Sequence, residues 1–142
     1  MTIPAPARDL AVLLARVAVG VVFFAHGWQK LFTNGMEGTT AFFEQVGVPA
    51  APVAAWFATI VELAGGVALV IGLAVPVVGL LLLVDMIGAF AFVHASAGLF
   101  VAEGGYEFVL VLGAAALVLA AVGAGRYSVD HLLTGRRQAV RA

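Results

Sequence analysis

The chain has 142 residues, 63% of them hydrophobic and 11% charged, with a net charge of −1 and no cysteine; its mean hydropathy is +1.12. A soluble domain carries about 25% charged residues and could not hide this much apolar surface at this length, so a soluble globular fold is excluded. Disulfides, thiol redox chemistry, iron–sulfur ligation and Cys-based zinc are excluded as well, and the lack of any long Lys/Arg run speaks against a nucleic-acid partner.

The first apolar run, Leu10–Leu31, is long enough at about 1.5 Å per residue to match a hydrocarbon core of about 30 Å. A connection over 33–52 follows. In its TTAFFEQVGVPAAP stretch, Thr39 or Thr40 can cap a short interfacial helix that gathers Phe42, Phe43 and Val46, with Gly47, Pro49 and Pro52 ending it. An irregular loop with both Phe side chains in the headgroups is the competing reading. The second run is Val53–Leu73, the third begins after Pro76 and reaches Ala97, and the fourth is Tyr106–Ala124. Backbone polar groups in lipid must be satisfied within the segment, so these runs are read as helices despite their Val content. The tail RYSVDHLLTGRR predicts one more short surface helix, with Leu132 and Leu133 against the membrane. Residues 1–142 thus read as one domain: an all-α integral membrane protein, a four-transmembrane-helix bundle with a short interfacial segment between helices one and two.

The flanks predict orientation. Arg8, Arg16, Arg126, Arg136, Arg137 and Arg141 lie towards the end that carries both termini, whereas the opposite end has Lys30 with Glu37, Glu44, Glu103 and Glu107. The Lys/Arg excess puts both termini in the cytoplasm of a multi-pass protein of the bacterial inner membrane. A cleaved signal peptide fits poorly, because the first run is long, is interrupted by Arg16 and His26, and lacks a convincing small-x-small site after it.

Ionisable residues inside the spans are the informative ones: Arg16, His26, Lys30, Glu62, Asp85, His94 and Glu107. A charge at the centre of a lipid-exposed helix costs about 2.5–3.5 kcal/mol, so these side chains are expected to face the bundle interior or a wet cavity. Depth along antiparallel helices sorts them into two layers. Arg16 lies about 9 Å into its helix, and Glu62 and Asp85 near mid-membrane, within reach of an arginine stem. His26 and Lys30 share a face at i,i+4, with Glu107 entering at the same depth. These two and Glu107 are the candidate ligand-binding residues, with Phe23 and Trp28 as walls. His94, nine residues from Asp85, falls roughly opposite it around a regular helix, which leaves one of the two for a subunit contact.

Each candidate has a plainer reading beside it. Arg16 with Asp85 or Glu62 can be an assembly clamp worth about 0.6–2 kcal/mol, Lys30 and Glu107 can snorkel or fasten two helices, and Trp28 can be an interface anchor. The glycines, with Gly65 and Gly66 beside Glu62 and Gly88 near Asp85, are explained by close packing. No metal site is indicated, since His26 has no His or Glu at i+4.

With those residues in view, the chain resembles the DoxX family of small bacterial membrane proteins. The resemblance rests on ARVAVGVVFFAHGWQKLF, VELAGGVALVIGL, GGYEFVLV and GRYSVDHLL, which cover nearly the whole chain. Arg16, His26, Gly27 and Lys30 match the first-helix signature, Glu62, Gly65 and Gly66 the second, Gly105, Tyr106 and Glu107 the fourth, and Ser128 and Asp130 the tail. The family is similar to the small membrane subunit of thiosulfate:quinone oxidoreductase, and other members associate with membrane-tethered oxidative-stress proteins. The resemblance therefore implies a membrane subunit of a quinone-linked oxidoreductase or oxidative-stress complex, with quinone or a small anion as ligand near the outer leaflet. No haem, flavin or iron–sulfur signature is present, so a bound quinone is the electron carrier this chain could hold. Two other classes compete: a small-solute or proton transporter using the ionisable layers, and a non-catalytic organiser of partner enzymes. Membrane lipid, partner subunits and a second copy of the chain are the expected partners.

Overall fold

The computed structural model describes residues 4–134. Five helices carry the fold: α1 Ala5–Trp28, α2 Gly35–Gln45, α3 Ala51–Ile71, α4 Val75–Ala89 and α5 Glu107–Val122, with no strand among the described residues. Counting the turns that prolong α1 and α4, three segments are long and apolar enough to cross a membrane: Ala5–Thr33, Ala51–Ile71 and Val75–Ala97. Helix α5 is apolar but has 16 residues, about 24 Å of rise, somewhat less than the hydrocarbon core. The expected all-α membrane bundle is present. The final turn, 129–134, is helical and includes Leu132 and Leu133, both exposed; the remainder of the expected tail helix lies outside the described residues.

The four long helices pack antiparallel as two pairs, α1 with α3 and α4 with α5, joined mainly through α3 and α4. Small residues make the first pair possible. A Cβ on Gly20 would lie 2.6 Å from the Gly66 carbonyl oxygen, and one on Gly66 would lie 2.6 Å from the Phe24 amide nitrogen. Neither backbone can retreat without parting the helices. Phe23, Leu69, Val75, Leu82, Met86, Leu112, Ala116 and Leu119 fill the interior, while Val53, Ile60, Val77, Val111 and Val118 point outward. An apolar exterior around an apolar core is what a lipid solvent permits.

Helix α2 begins at Gly35, four residues ahead of the expected cap. Thr39 sits inside the helix, buried, and its hydroxyl donates to the Lys30 carbonyl at 3.0 Å. The helix ends before Gly47, as expected. Two segments depart from regular winding: Gln29–Thr33 after α1 and Phe90–His94 after α4 are π-helical turns, with i to i+5 hydrogen bonding.

The terminal end is closed by a polar clasp. Helix α3 stops at Gly72 in the left-handed region (φ 73°), and the Leu73 amide donates back to the Ala68 carbonyl at 2.8 Å. Ala74 is also left-handed (φ 50°), a conformation that costs an L-residue about 1–2 kcal/mol. Asp130 compensates by accepting the Ala74 and Val75 amides at 2.8 and 3.1 Å, capping α4.

Replacing Gly66 by Val is expected to lower thermal stability by at least the roughly 1–3 kcal/mol typical of overpacking, because the atoms met are backbone. Gly38→Ala, whose new Cβ would find its nearest neighbour at 3.9 Å, should leave the melting temperature unchanged or slightly raised. Equal behaviour of the two variants in one detergent would contradict the close α1–α3 approach.

Candidate functional site

Lysine, placed in a bundle that offers little water, must find an acid. Lys30 donates to Glu62 Oε2 at 2.6 Å; the lysine side chain is 20% exposed and the glutamate 4%. This is the one salt bridge among the described residues. Asp85 of α4 stands beside both. Its Oδ2 is buried and has no hydrogen-bond partner among the described residues. One ammonium thus faces two carboxyls, a surplus of acid that a proton or a ligand must balance.

These three groups line one wall of a cavity of about 360 Å³ at the end of the bundle that carries α2. Phe42 and Phe43 of α2 roof it, Phe57 of α3 and Phe92 after α4 supply further aromatic wall, and His94 lies at its edge. Volume and lining match small-molecule sites, which are mainly apolar with a few convergent polar groups. Both π-helical turns border it: Lys30 belongs to the first, Phe92 and His94 to the second. Such turns recur at functional sites because they re-aim side chains out of the regular register. Two other hollows lack this combination. A groove of about 320 Å³ between α4 and α5 is almost wholly apolar, and a dent of about 440 Å³ near Arg8, Arg126 and His131 is open and without an apolar wall comparable to the aromatic one.

The structure regroups the sequence candidates. Arg16 does point inward and is fully buried, but it reaches neither Glu62 nor Asp85. Its guanidinium donates to the Leu69 carbonyl at 3.3 Å and the Tyr127 carbonyl at 2.6 Å. Antiparallel pairing sets Arg16 level with the end of α3, two turns or about 10 Å beyond Glu62. The expected charge network divides accordingly into a terminal-end arginine held by carbonyls and an opposite-end triad containing Lys30.

Lys30 pairs with Glu62 rather than Glu107. Lys30 continues the stripe of Arg16, Gly20, Phe23 and Gly27 that α1 turns towards α3, while the His26 ring packs on Phe108 of α5, 5.9 Å between centroids. Glu107 closes the loop before α5, accepting the Val101 amide at 2.7 Å. Phe23 is in the bundle core at 1% exposure, and Trp28 lies between Phe24 and Phe32 at 49% exposure, as an interface anchor would. Of the five ligand candidates only Lys30 lines the cavity.

His94 and Asp85 line the same cavity instead of opposite sides, because Phe90–His94 carries more residues per revolution than a regular helix. The His94 Nδ1 is 2.6 Å from the Gly104 carbonyl. Sequence reasoning passed over Phe57 and Phe92 as ligand walls and took Phe42 and Phe43 only as interfacial side chains. No group of three or more His, Cys, Asp or Glu suited to a metal ion occurs among the described residues.

A family model described as DoxX matches residues 11–95, which include Lys30, Glu62, Asp85 and His94. The chain is 37% identical over 111 residues to the Bacillus subtilis protein named "Putative oxidoreductase CatD", covering 78% of this chain and 79% of that one. It is 31% identical to the uncharacterized membrane protein Rv3486 of Mycobacterium tuberculosis, with 93% and 86% covered. It is 30% identical to the inner membrane protein YqjF of Escherichia coli, with 89% and 94% covered. No solved structure matches the chain.

Removing the cation alone should be more harmful than removing the pair. Lys30→Met is expected to cost about 3–5 kcal/mol at neutral pH by leaving buried carboxyls uncompensated, whereas Lys30→Met with Glu62→Leu should recover much of that loss. Thermal unfolding of the single and double variants in the same detergent checks it; additive losses would contradict a direct, buried pair.

Proposed function

This chain belongs to the DoxX family, and we propose that it serves as a membrane subunit of a quinone-linked oxidoreductase or oxidative-stress complex, holding a quinone-class ring in the cavity beside Lys30. The observation that carries this reading is a cavity with aromatic walls into which one lysine and two carboxyls converge. A flat ring gains from burial against Phe42, Phe43, Phe57 and Phe92, and an oxygen on that ring finds the Lys30 ammonium as donor. The relative named as an oxidoreductase supports the same class of chemistry.

The residues present fit such a ligand. When bound, it supplies two-electron, two-proton redox chemistry; the chain supplies the slot, the orientation set by Lys30 and Glu62, and the exclusion of water by α2. Electrons enter and leave through partner subunits, since the chain has no cysteine for an iron–sulfur cluster and no haem or flavin signature.

We place the protein in the bacterial inner membrane with both termini cytoplasmic and the cavity towards the outer leaflet. The Lys/Arg excess at the terminal end supports the orientation, and the name of the inner-membrane relative supports the compartment. Single cysteines at Glu44 and Arg126 should react with an impermeant thiol reagent from opposite sides of intact cells; labelling from the same side would overturn the topology.

Gly88 offers a clean test of the site. It lines the cavity, and a Cβ there would meet nothing within 4 Å. Gly88→Leu should therefore fold normally and fill the slot. Calorimetric titration of a short-chain ubiquinone analogue into the protein in lipid nanodiscs is expected to show binding that weakens at least about tenfold in Gly88→Leu. Unchanged affinity in a folded Gly88→Leu variant would place the ligand elsewhere.

A further inference from the structure

The two acids beside Lys30 meet each other as well as the lysine. Glu62 of α3 accepts from the ammonium at 2.6 Å, and the Asp85 carboxyl of α4 is hydrogen-bonded to Glu62. A carboxylate only accepts, so a bond between two carboxyls needs a proton on one of them. Asp85 Oδ2 is buried and finds no other donor among the described residues. The charge count asks for the same proton: one ammonium balances one carboxylate, and a second bare carboxylate in a site this buried would stand uncompensated. No other charge is at hand to take its place. The charges that act on Asp85 are those of Glu62 and Lys30. His94 is the remaining ionisable residue of the lining, with its Nδ1 2.6 Å from the Gly104 carbonyl, and α2 and α5 bring none to it.

We propose that Glu62 and Asp85 hold one shared proton in store and that Lys30 passes it to an oxygen of the ring bound in the cavity. The proposal rests on the quinone-class reading of this site and adds the source of the proton that reduction of the ring consumes. The groups stand in the order such a transfer needs. Lys30 lines the cavity with its side chain 20% exposed, Glu62 bonded to it is 4% exposed, and Asp85 bonds Glu62 from the other helix pair. An electron carrier of a partner subunit, flavin, haem or iron–sulfur in class, brings the electrons. Lys30 answers the negative charge they place on a ring oxygen: one N–H bond of the ammonium breaks and one O–H bond forms. The Glu62–Asp85 pair then returns its shared proton to the amine, which leaves an ammonium beside two carboxylates. Solvent reloads the pair, and the second proton of a two-electron reduction follows the same route. A donor within hydrogen-bond reach of developing charge is what general acid catalysis requires. Asp85 acts through Glu62 and Lys30 and not on the ring itself.

Infrared spectroscopy of the full chain in dodecyl maltoside, a detergent without a carbonyl group, tests both halves. The ligand-free parent protein at neutral pH is expected to show the carbonyl band of a protonated carboxyl, shifted to lower frequency in heavy water. Asp85→Asn and Glu62→Gln should each lose it, because the remaining acid then has Lys30 to itself. With a short-chain ubiquinone analogue bound, reduction by a flash-excited sensitiser should bleach the band transiently, with recovery as solvent reloads the pair; Asp85→Asn should show no such transient. Absence of the band in the parent protein, a measurement that needs neither variant, or its survival in both folded variants would overturn the shared proton. A band that stays unchanged through reduction of the bound analogue would overturn the delivery while leaving the quinone-class site in place. An analogue that fails to bind would remove the quinone reading and the delivery with it.

Discussion

A lysine ammonium inside a membrane bundle has to be paired, and the contact between Lys30 and Glu62 shapes what surrounds it. It joins the turn after α1 to α3 at 2.6 Å, and the two backbones beside it run close, which the small residues Gly20, Gly27 and Gly66 allow. Lys30 follows Gly27 by three residues and so continues the stripe of α1 that faces α3. The Thr39 hydroxyl, bonded to the Lys30 carbonyl, then fixes α2 over the same point. Helix packing and the interfacial helix thus converge on one ion pair. With that pair formed, Asp85 is left as the carboxyl without a cation of its own.

The two ends of the bundle are built on different principles. At the terminal end the two terminal nitrogens of Arg16 donate to carbonyls near the end of α3 and in the closing segment, while Asp130 covers the first amides of α4. Each charge sits at the helix terminus whose dipole it complements. Ser128 supports the clasp, donating to the Gly125 carbonyl at 2.6 Å. Every one of these bonds fastens the chain to itself. At the opposite end a cavity opens between the helices, with aromatic walls and one lysine beside two carboxyls. Rigidity at one end and an open, amphipathic slot at the other fit a subunit that holds a ligand near one membrane surface.

Much of this was legible in the sequence. The apolar runs located the long helices within a few residues, because in lipid the backbone has no alternative to helix. The short interfacial helix was marked by Gly47 and Pro49, although its start was misplaced because Thr39 bonds across to Lys30 instead of capping. The site was legible in its ingredients and not in its grouping: Lys30, Glu62 and Asp85 were all singled out, but assigned to two different layers. Two physical facts undid the assignment. Arg16 is held by backbone carbonyls, which no side-chain inventory reveals, and the π-helical turn Phe90–His94 carries His94 away from the face that regular periodicity gives it. The phenylalanines of the walls carry no signal that separates ligand contact from ordinary membrane packing.

The central claim is that ligand chemistry belongs to the slot bounded by α2, α3 and α4. Photo-crosslinking with an azido-substituted quinone analogue, followed by peptide mapping, tests it directly. The account predicts adducts within residues 42–58 and 84–94, competed away by unlabelled analogue. Adducts confined to the α5 side of the apolar groove, near Leu110 and Leu117, or to the terminal end around Arg126, would contradict it.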